Sequence, residues 1–225
     1  MSAPDNGIRT YVLRQGRMTE SQKRALEGEG RRFLVGFDGT ILDWTGIFGN
    51  AGPVVMEIGF GMGRATWQIA QGSSETNYLG VEVHRPGVGK LISELLERKI
   101  GNVRIVAHDA VEVLERGVAP ASLFGIHLFY PDPWPKKRHH KRRIVRPGLA
   151  DLMASRLAPG GYLYFVTDIE EYANSALEVL EATPGLKNKY EGFADRQGWR
   201  PETKFEARAR LAGGGHRELF FEKMS

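Results

Sequence analysis

The stretch Val54-Val55-Met56-Glu57-Ile58-Gly59-Phe60-Gly61-Met62-Gly63 decides the fold. An apolar run, interrupted only by one acid, is what a β-strand covered on both faces requires. Glycines directly behind it let the backbone turn tightly and approach a ligand. A dinucleotide fingerprint would need Gly-x-Gly-x-x-Gly, and its last glycine position holds Arg64. Glu57 would also sit badly beside a pyrophosphate. The turn suits a cationic ligand better than a phosphorylated one.

Working outward, short apolar runs alternate with helix-period segments. The further strands are read at Tyr78–Val83, Val103–Val106, Leu123–Phe129 and Tyr162–Thr167, with a last one at Leu219–Phe221. Val88, Leu91, Ile92, Leu95 and Leu96 share one helical face. Leu149, Leu152, Met153 and Leu157 share another, with Pro147 placed to start that helix and Pro159-Gly160-Gly161 to end it. Tyr172, Ala173, Ala176, Leu177 and Leu180 form a third stripe. This alternation predicts an α/β fold: a mostly parallel, doubly wound sheet with helices on both faces. Residues 51–225 read as that domain. Residues 1–50 read as a partly flexible extension, with a short helix over Thr19–Glu27 that Thr19 can cap.

Ligands of such sheets bind beyond the carboxyl ends of the strands. Glu82 ends the second strand, 23 residues beyond Gly59, near the spacing of an acid that binds a ribose diol. Asp109 follows the third strand, where it can accept from an adenine amino group or merely cap a helix over Ala110–Leu114. Gly59, Gly61 and Gly63 can equally form a plain tight turn, and Glu82 can be a solvated strand end. Acids at successive strand ends beside a glycine turn, with Glu57, suit S-adenosylmethionine, which carries a sulfonium and an α-ammonium and no phosphate.

The fourth strand runs into Pro131-Asp132-Pro133-Trp134-Pro135-Lys136. Three prolines make this loop stiff and poor in backbone donors, so it can hold Asp132 and Trp134 in place. The octet Lys136–Arg143 is entirely Lys, Arg and His, in a chain of formal charge +4. It can neutralise several phosphates or stand as a solvated charge run. Thr203 and Glu206 have the spacing of a helix capping box. Asp168 follows the fifth strand, suited to a ligand contact or to capping a helix from Ile169.

Composition narrows the classes. The 225 residues are 41% apolar and 26% charged, ordinary for a globular domain. No cysteine is present, which excludes disulfides, thiolate zinc sites, iron–sulfur clusters and cysteine nucleophiles. The six histidines lack helical ligand spacing, so no metal site is expected. No apolar stretch approaches the roughly 20 residues of a membrane helix, and a cytoplasmic location is expected. An RNA methyltransferase of different base or atom specificity and a non-catalytic RNA-binding module on the same fold remain open on these residues.

The run Pro131–Lys137, followed by His140-Lys141-Arg142-Arg143, resembles the bacterial tRNA (guanine-N7)-methyltransferases. Glu57–Gly63, Gly80–His84, Thr167-Asp168, Thr203–Glu206 and Gly215-His216 support the resemblance, as do Gly16–Thr19, Gln22 and Ala25-Leu26. It runs from about residue 14 to 223. It implies a Rossmann-like class I methyltransferase fold with an antiparallel C-terminal strand, and S-adenosylmethionine as cofactor. The substrate it implies is a guanosine in the variable loop of tRNA, methylated by a single-chain, monomeric enzyme. By the same resemblance Glu57, Glu82, Asp109 and Asp132 contact the cofactor, and Asp132 is catalytic. Lys136, Asp168, Thr203, Lys204, Phe205 and Glu206 correspond to substrate contacts. Arg138, His139, His140, Lys141, Arg142 and Arg143 correspond to an RNA-interacting stretch.

Overall fold

The structure is a computed structural model that describes residues 8–12, 16–202, 206 and 215–225. Among these residues a seven-stranded sheet forms the centre, in the order β3-β2-β1-β4-β5-β7-β6. The strands are β1 (Val54–Ile58), β2 (Asn77–Val81), β3 (Val103–Val106), β4 (Leu123–Phe129), β5 (Leu157–Thr167), β6 (Leu186–Asn188) and β7 (Arg217–Lys223). The first five run parallel; β7 is antiparallel to both β5 and β6. Every residue of β1 and β2 is buried, as strands covered on both faces require.

Helices α1 (Glu20–Ala25), α3 (Arg64–Gly72) and α4 (Arg85–Glu97) stand with β1–β3: Ala25, Ile69, Leu91, Ile92 and Leu95 pack with Val55, Tyr78, Val103 and Ile105. Helices α2 (Trp44–Phe48), α5 (Ala110–Glu112), α6 (Pro147–Arg156) and α7 (Glu170–Glu181) contribute to the larger core, where Phe48, Leu149, Met153, Tyr172 and Leu180 meet Met56, Ile126, Leu163 and Phe165. No helix of the described residues is long and apolar enough to cross a membrane.

Several expected boundaries move. Leu157 opens β5 opposite Leu123 instead of closing the preceding helix, and the pairing slips before Gly125 meets Tyr162. Pro159-Gly160-Gly161 therefore lies inside an irregular strand. The last strand is longer than Leu219–Phe221 because it continues through Glu218, a buried acid that breaks the apolar pattern. The three residues of β6 are too few to show periodicity. The short N-terminal helix is real: Thr19 and Gln22 form a reciprocal capping box. Ala25, Phe33, Leu42 and Phe48 belong to the two main cores, so the described part of residues 1–50 shares the domain's interior.

Candidate active site

The strand order reverses between β1, which leads to β2 and β3, and β4, which leads to β5. Crevices open at such switch points. A cleft of about 390 Å³ lies there, and Gly59, Gly61, Glu82 and Asp132 line it. Tyr130 and His84 line it as well. Glu57, Gly63, Asp109, Lys136 and Asp168 do not.

The glycine turn holds a strained path. Gly59, Gly61 and Gly63 all have positive φ, which side chains rarely tolerate. Gly87 on the first turn of α4 was not singled out in the sequence, yet a Cβ there would come within 2.0 Å of the Gly61 carbonyl oxygen. Its absence lets α4 close onto the turn.

Glu82 is no solvated strand end. Its Oε2 accepts from the Gly61 N–H at 2.8 Å, and its Oε1 accepts from Val83 and His84 at 2.7 and 2.9 Å. A carboxylate offers about four acceptor sites, so these three bonds leave room for one ligand hydroxyl while tying the turn to β2. Asp109 takes the capping option: it is the N-cap of α5 and accepts from Val111 N–H at 2.8 Å. It also hydrogen-bonds Tyr11, whose phenol pKa rises chiefly through burial. Thr10, Tyr11 and Val12 thereby form one wall of the cleft. No motif in that polar segment announced it.

Glu57 is 3% exposed at the end of β1. Burial pushes its pKa up to about 7; the Thr66 hydroxyl opposes the shift and the Glu82 charge adds to it. Among the described residues no basic group pairs with it. Asp168 is exposed and does not cap α7: the Thr167 hydroxyl accepts the Ile169 N–H at 3.2 Å.

The loop after β4 carries Asp132 exposed, between two bulky residues in the left-handed region, Tyr130 (φ 51°) and Trp134 (φ 48°). Such conformations cost on the order of 1–3 kcal/mol each and persist only where neighbours enforce them. Tyr130 N–H donates to Val166 O at 2.8 Å, and Trp134 Nε1–H donates to Thr10 O at 3.2 Å. Arg142 stacks over the Trp134 ring at 4.8 Å. The strand end, the N-terminal segment and the basic octet thus all brace the loop.

The octet itself is mostly a 3₁₀ turn over Lys137–Arg142. Lys136, Lys137, Arg138 and Lys141 are exposed, while His139, His140 and Arg142 are half-buried. Burial, then the charges of Arg138 and Arg142, depress the His139 pKa. Arg143 departs from the expectation of a phosphate contact. Its side chain is 2% exposed and pairs with Glu171.

Thr203, Lys204 and Phe205 lie outside the described residues. Glu206 is buried and pairs with Arg200, which also binds Glu218 and donates from Nε to Tyr164 Oη at 3.0 Å. Glu206, His216 and Glu218 bring their ligand atoms within 4.8 Å of one another, and the cation among them is this guanidinium. Arg200 also lies 5.9 Å from the Phe129 ring, at the root of the Asp132 loop.

Residues 51–219 match the model of a family described as a putative methyltransferase. The tRNA (guanine-N(7)-)-methyltransferase of Paraburkholderia xenovorans is 50% identical over 216 residues, 96% of this chain and 83% of the relative. The chain belongs to the tRNA (guanine-N7)-methyltransferase family. The member from Thiobacillus denitrificans is again 50% identical, over 96% of this chain and 95% of its own. Among solved structures, the 16S rRNA methyltransferase KamB superposes with a TM-score of 0.61 at 12% identity, over 82% of this chain and 95% of that one. The aminoglycoside resistance methyltransferase NpmB1 gives 0.54 at 16%, over 76% and 87%. At these identities the likeness concerns the fold alone. It gives this family member the Rossmann-like fold of those two enzymes, with β7 as the antiparallel strand.

Proposed function

We propose that this chain transfers a methyl group from S-adenosylmethionine to N7 of a guanosine in the variable loop of tRNA. One observation carries the reading: in a member of this family, a Glu82-tied glycine turn and the strained Asp132 loop line a single switch-point cleft. Incubation with labelled S-adenosylmethionine and unmodified tRNA, followed by nucleoside analysis, should place the label in 7-methylguanosine of the variable loop. Label on another atom, or none, would overturn the proposal.

The residues fit the cofactor. Glu57, next to the cleft-lining Ile58, is a buried acid with no counter-cation among the described residues, which suits an α-ammonium group, and Glu82 keeps an acceptor site for a ribose hydroxyl. Asp109 stands at the adenine end by the family resemblance. When bound, the cofactor supplies a methyl group activated by a positively charged sulfur. Guanine N7 has a free lone pair and no proton, so no base is needed to deprotonate it. The protein's task is to hold N7 in line with the methyl–sulfur bond, and positioning of this kind can contribute roughly 7–11 kcal/mol. As N7 is alkylated the purine becomes positive and its N1–H more acidic. Asp132 accepts from the guanine edge and stabilises that charge. The target base is flipped out to reach the cleft. Lys136, Asp168, Thr203, Lys204 and Phe205 hold the substrate, while the buried Glu206 is taken by Arg200, and the enzyme works as a cytoplasmic monomer.

Glu57 makes this reading sensitive to pH. Its folded pKa is raised from 4.5 to about 7, so its contribution to stability is complete below pH 4.5 and is lost as pH rises through 7. Above that, a buried unpaired carboxylate costs about 3 kcal/mol. Glu57→Gln should therefore raise the melting temperature more at pH 8 than at pH 5 while weakening cofactor binding. Equal shifts at both pH values would show that Glu57 is not the strained acid described.

The exposed cations give a second test. Replacing Lys137, Arg138 and Lys141 with alanine should flatten the slope of log K for tRNA against log salt by about 0.7–0.9 for each phosphate that is no longer neutralised. An unchanged slope would remove the octet from the interface.

A further inference from the structure

We propose that Arg143, which sequence reading places among the RNA contacts, is a positioning residue: it clamps the Asp132 loop to helix α7 and touches no phosphate. Four of its five N–H donors are taken by protein acceptors. Nε donates to the Pro133 carbonyl at 2.9 Å, one residue from Asp132. One terminal nitrogen donates to Glu171 Oε1 at 3.1 Å, and the other to Glu171 Oε2 and to His140 Nε2, the latter at 3.1 Å. The guanidinium carbon lies 4.6 Å from the Tyr172 ring centre, and the Tyr172 hydroxyl in turn accepts from Val145 N–H at 3.3 Å. A side chain committed in this way, and 2% exposed, has little left to offer a polyanion.

The loop needs such a clamp. Pro131 and Pro133 have no N–H to give, and Tyr130 and Trp134 hold left-handed backbone on either side of Asp132. Braces from β5 and from the N-terminal segment reach Tyr130 and Trp134. Among the described residues Arg143 alone reaches the Pro133 carbonyl, through a charge-assisted bond. Its partner Glu171 sits in the first turn of α7, three residues beyond Asp168. The Arg143 guanidinium holds the Glu171 carboxyl below its ordinary pKa, so the pair stays ionised at neutral pH. One bridge therefore links the segments carrying Asp132 and Asp168. The bidentate fork needs guanidinium geometry, which lysine lacks.

This inference rests on the methyl-transfer reading for its kinetic arm only. Arg143→Ala, Arg143→Lys and Glu171→Gln should each lower kcat by up to about 10²-fold, leaving tRNA affinity and its salt slope unchanged. Lys141→Ala should instead flatten the salt slope, as loss of a phosphate contact does. Independently of activity, hydrogen exchange at the Tyr130 amide and the Trp134 indole N–H, the two hydrogen-bonded N–H groups of the loop, should accelerate in Arg143→Ala and Glu171→Gln. Because the Glu171 side chain is largely exposed, Glu171→Gln carries the test if Arg143→Ala does not fold. A flattened salt slope in Arg143→Ala with kcat retained, or loop exchange at the wild-type rate in Glu171→Gln, overturns the clamp. A wild-type protein inactive on tRNA overturns the function instead, and the exchange measurement still decides Arg143.

Discussion

Asp132→Ala should lower kcat by roughly 10²–10³-fold, the usual cost of deleting one group that stabilises transition-state charge. Asp132→Asn should fall by a similar factor, because an amide keeps the shape and loses the negative charge. Affinity for tRNA should change little, since the exposed cations of the octet carry the phosphate attraction. The strain on either side of Asp132 is the reason to expect so large an effect. A chain holds Tyr130 and Trp134 in left-handed conformations, braced from three directions, only where the residue between them must be aimed. Steady-state kinetics with saturating tRNA give the number directly. Turnover near wild type in both variants would take Asp132 out of the chemistry and leave it a spacer in a rigid loop.

Arg200→Met should destabilise the fold by about 3–5 kcal/mol, because it removes the guanidinium that the buried Glu206 and Glu218 carboxylates share. For a chain of this size that lowers the melting temperature by roughly 6–20 °C. The loss comes from the stranded charges and not from the methionine, which replaces the packing of the arginine stem. Adding Glu206→Gln and Glu218→Leu to Arg200→Met should therefore recover much of the stability. Chemical denaturation of the single and triple variants separates the two costs. A deficit under about 1 kcal/mol in the single variant, or no recovery in the triple, would mean that the network is solvated in solution. Tyr164 completes the network: burial raises its phenol pKa, so it stays protonated and donates to Glu218.

Much of the fold was legible because it rests on local pattern. Nearly continuous apolar runs name the parallel strands, and the glycine turn after β1 names the end at which a ligand binds. Glu82 and the proline loop follow from position along the chain, since residues just beyond strands on either side of a switch point meet in space. The capping options at Thr19 and Asp109 were also local, each decided within three residues. The strand β6 and the N-terminal wall of the cleft were not legible. Thr10, Tyr11 and Val12 are recruited by Asp109 and Trp134, roughly 100 and 120 positions away, and nothing near them in sequence signals that contact.

The amino-acid sequence by itself determined the strand–helix alternation, the crevice end of the sheet and two of the acids that line it, Glu82 and Asp132. Periodicity and spacing are properties of the chain, and each strand must bury its own apolar faces. Only the tertiary structure decided which charges are free. Arg143 and Arg138 are indistinguishable in a run of eight basic residues, yet one is sealed against Glu171 and Tyr172 while the other faces solvent. Glu218 looks like a surface acid until Arg200 reaches it across the fold. The role of a charge depends on its partners and on the water around it, and both are set by segments distant in sequence.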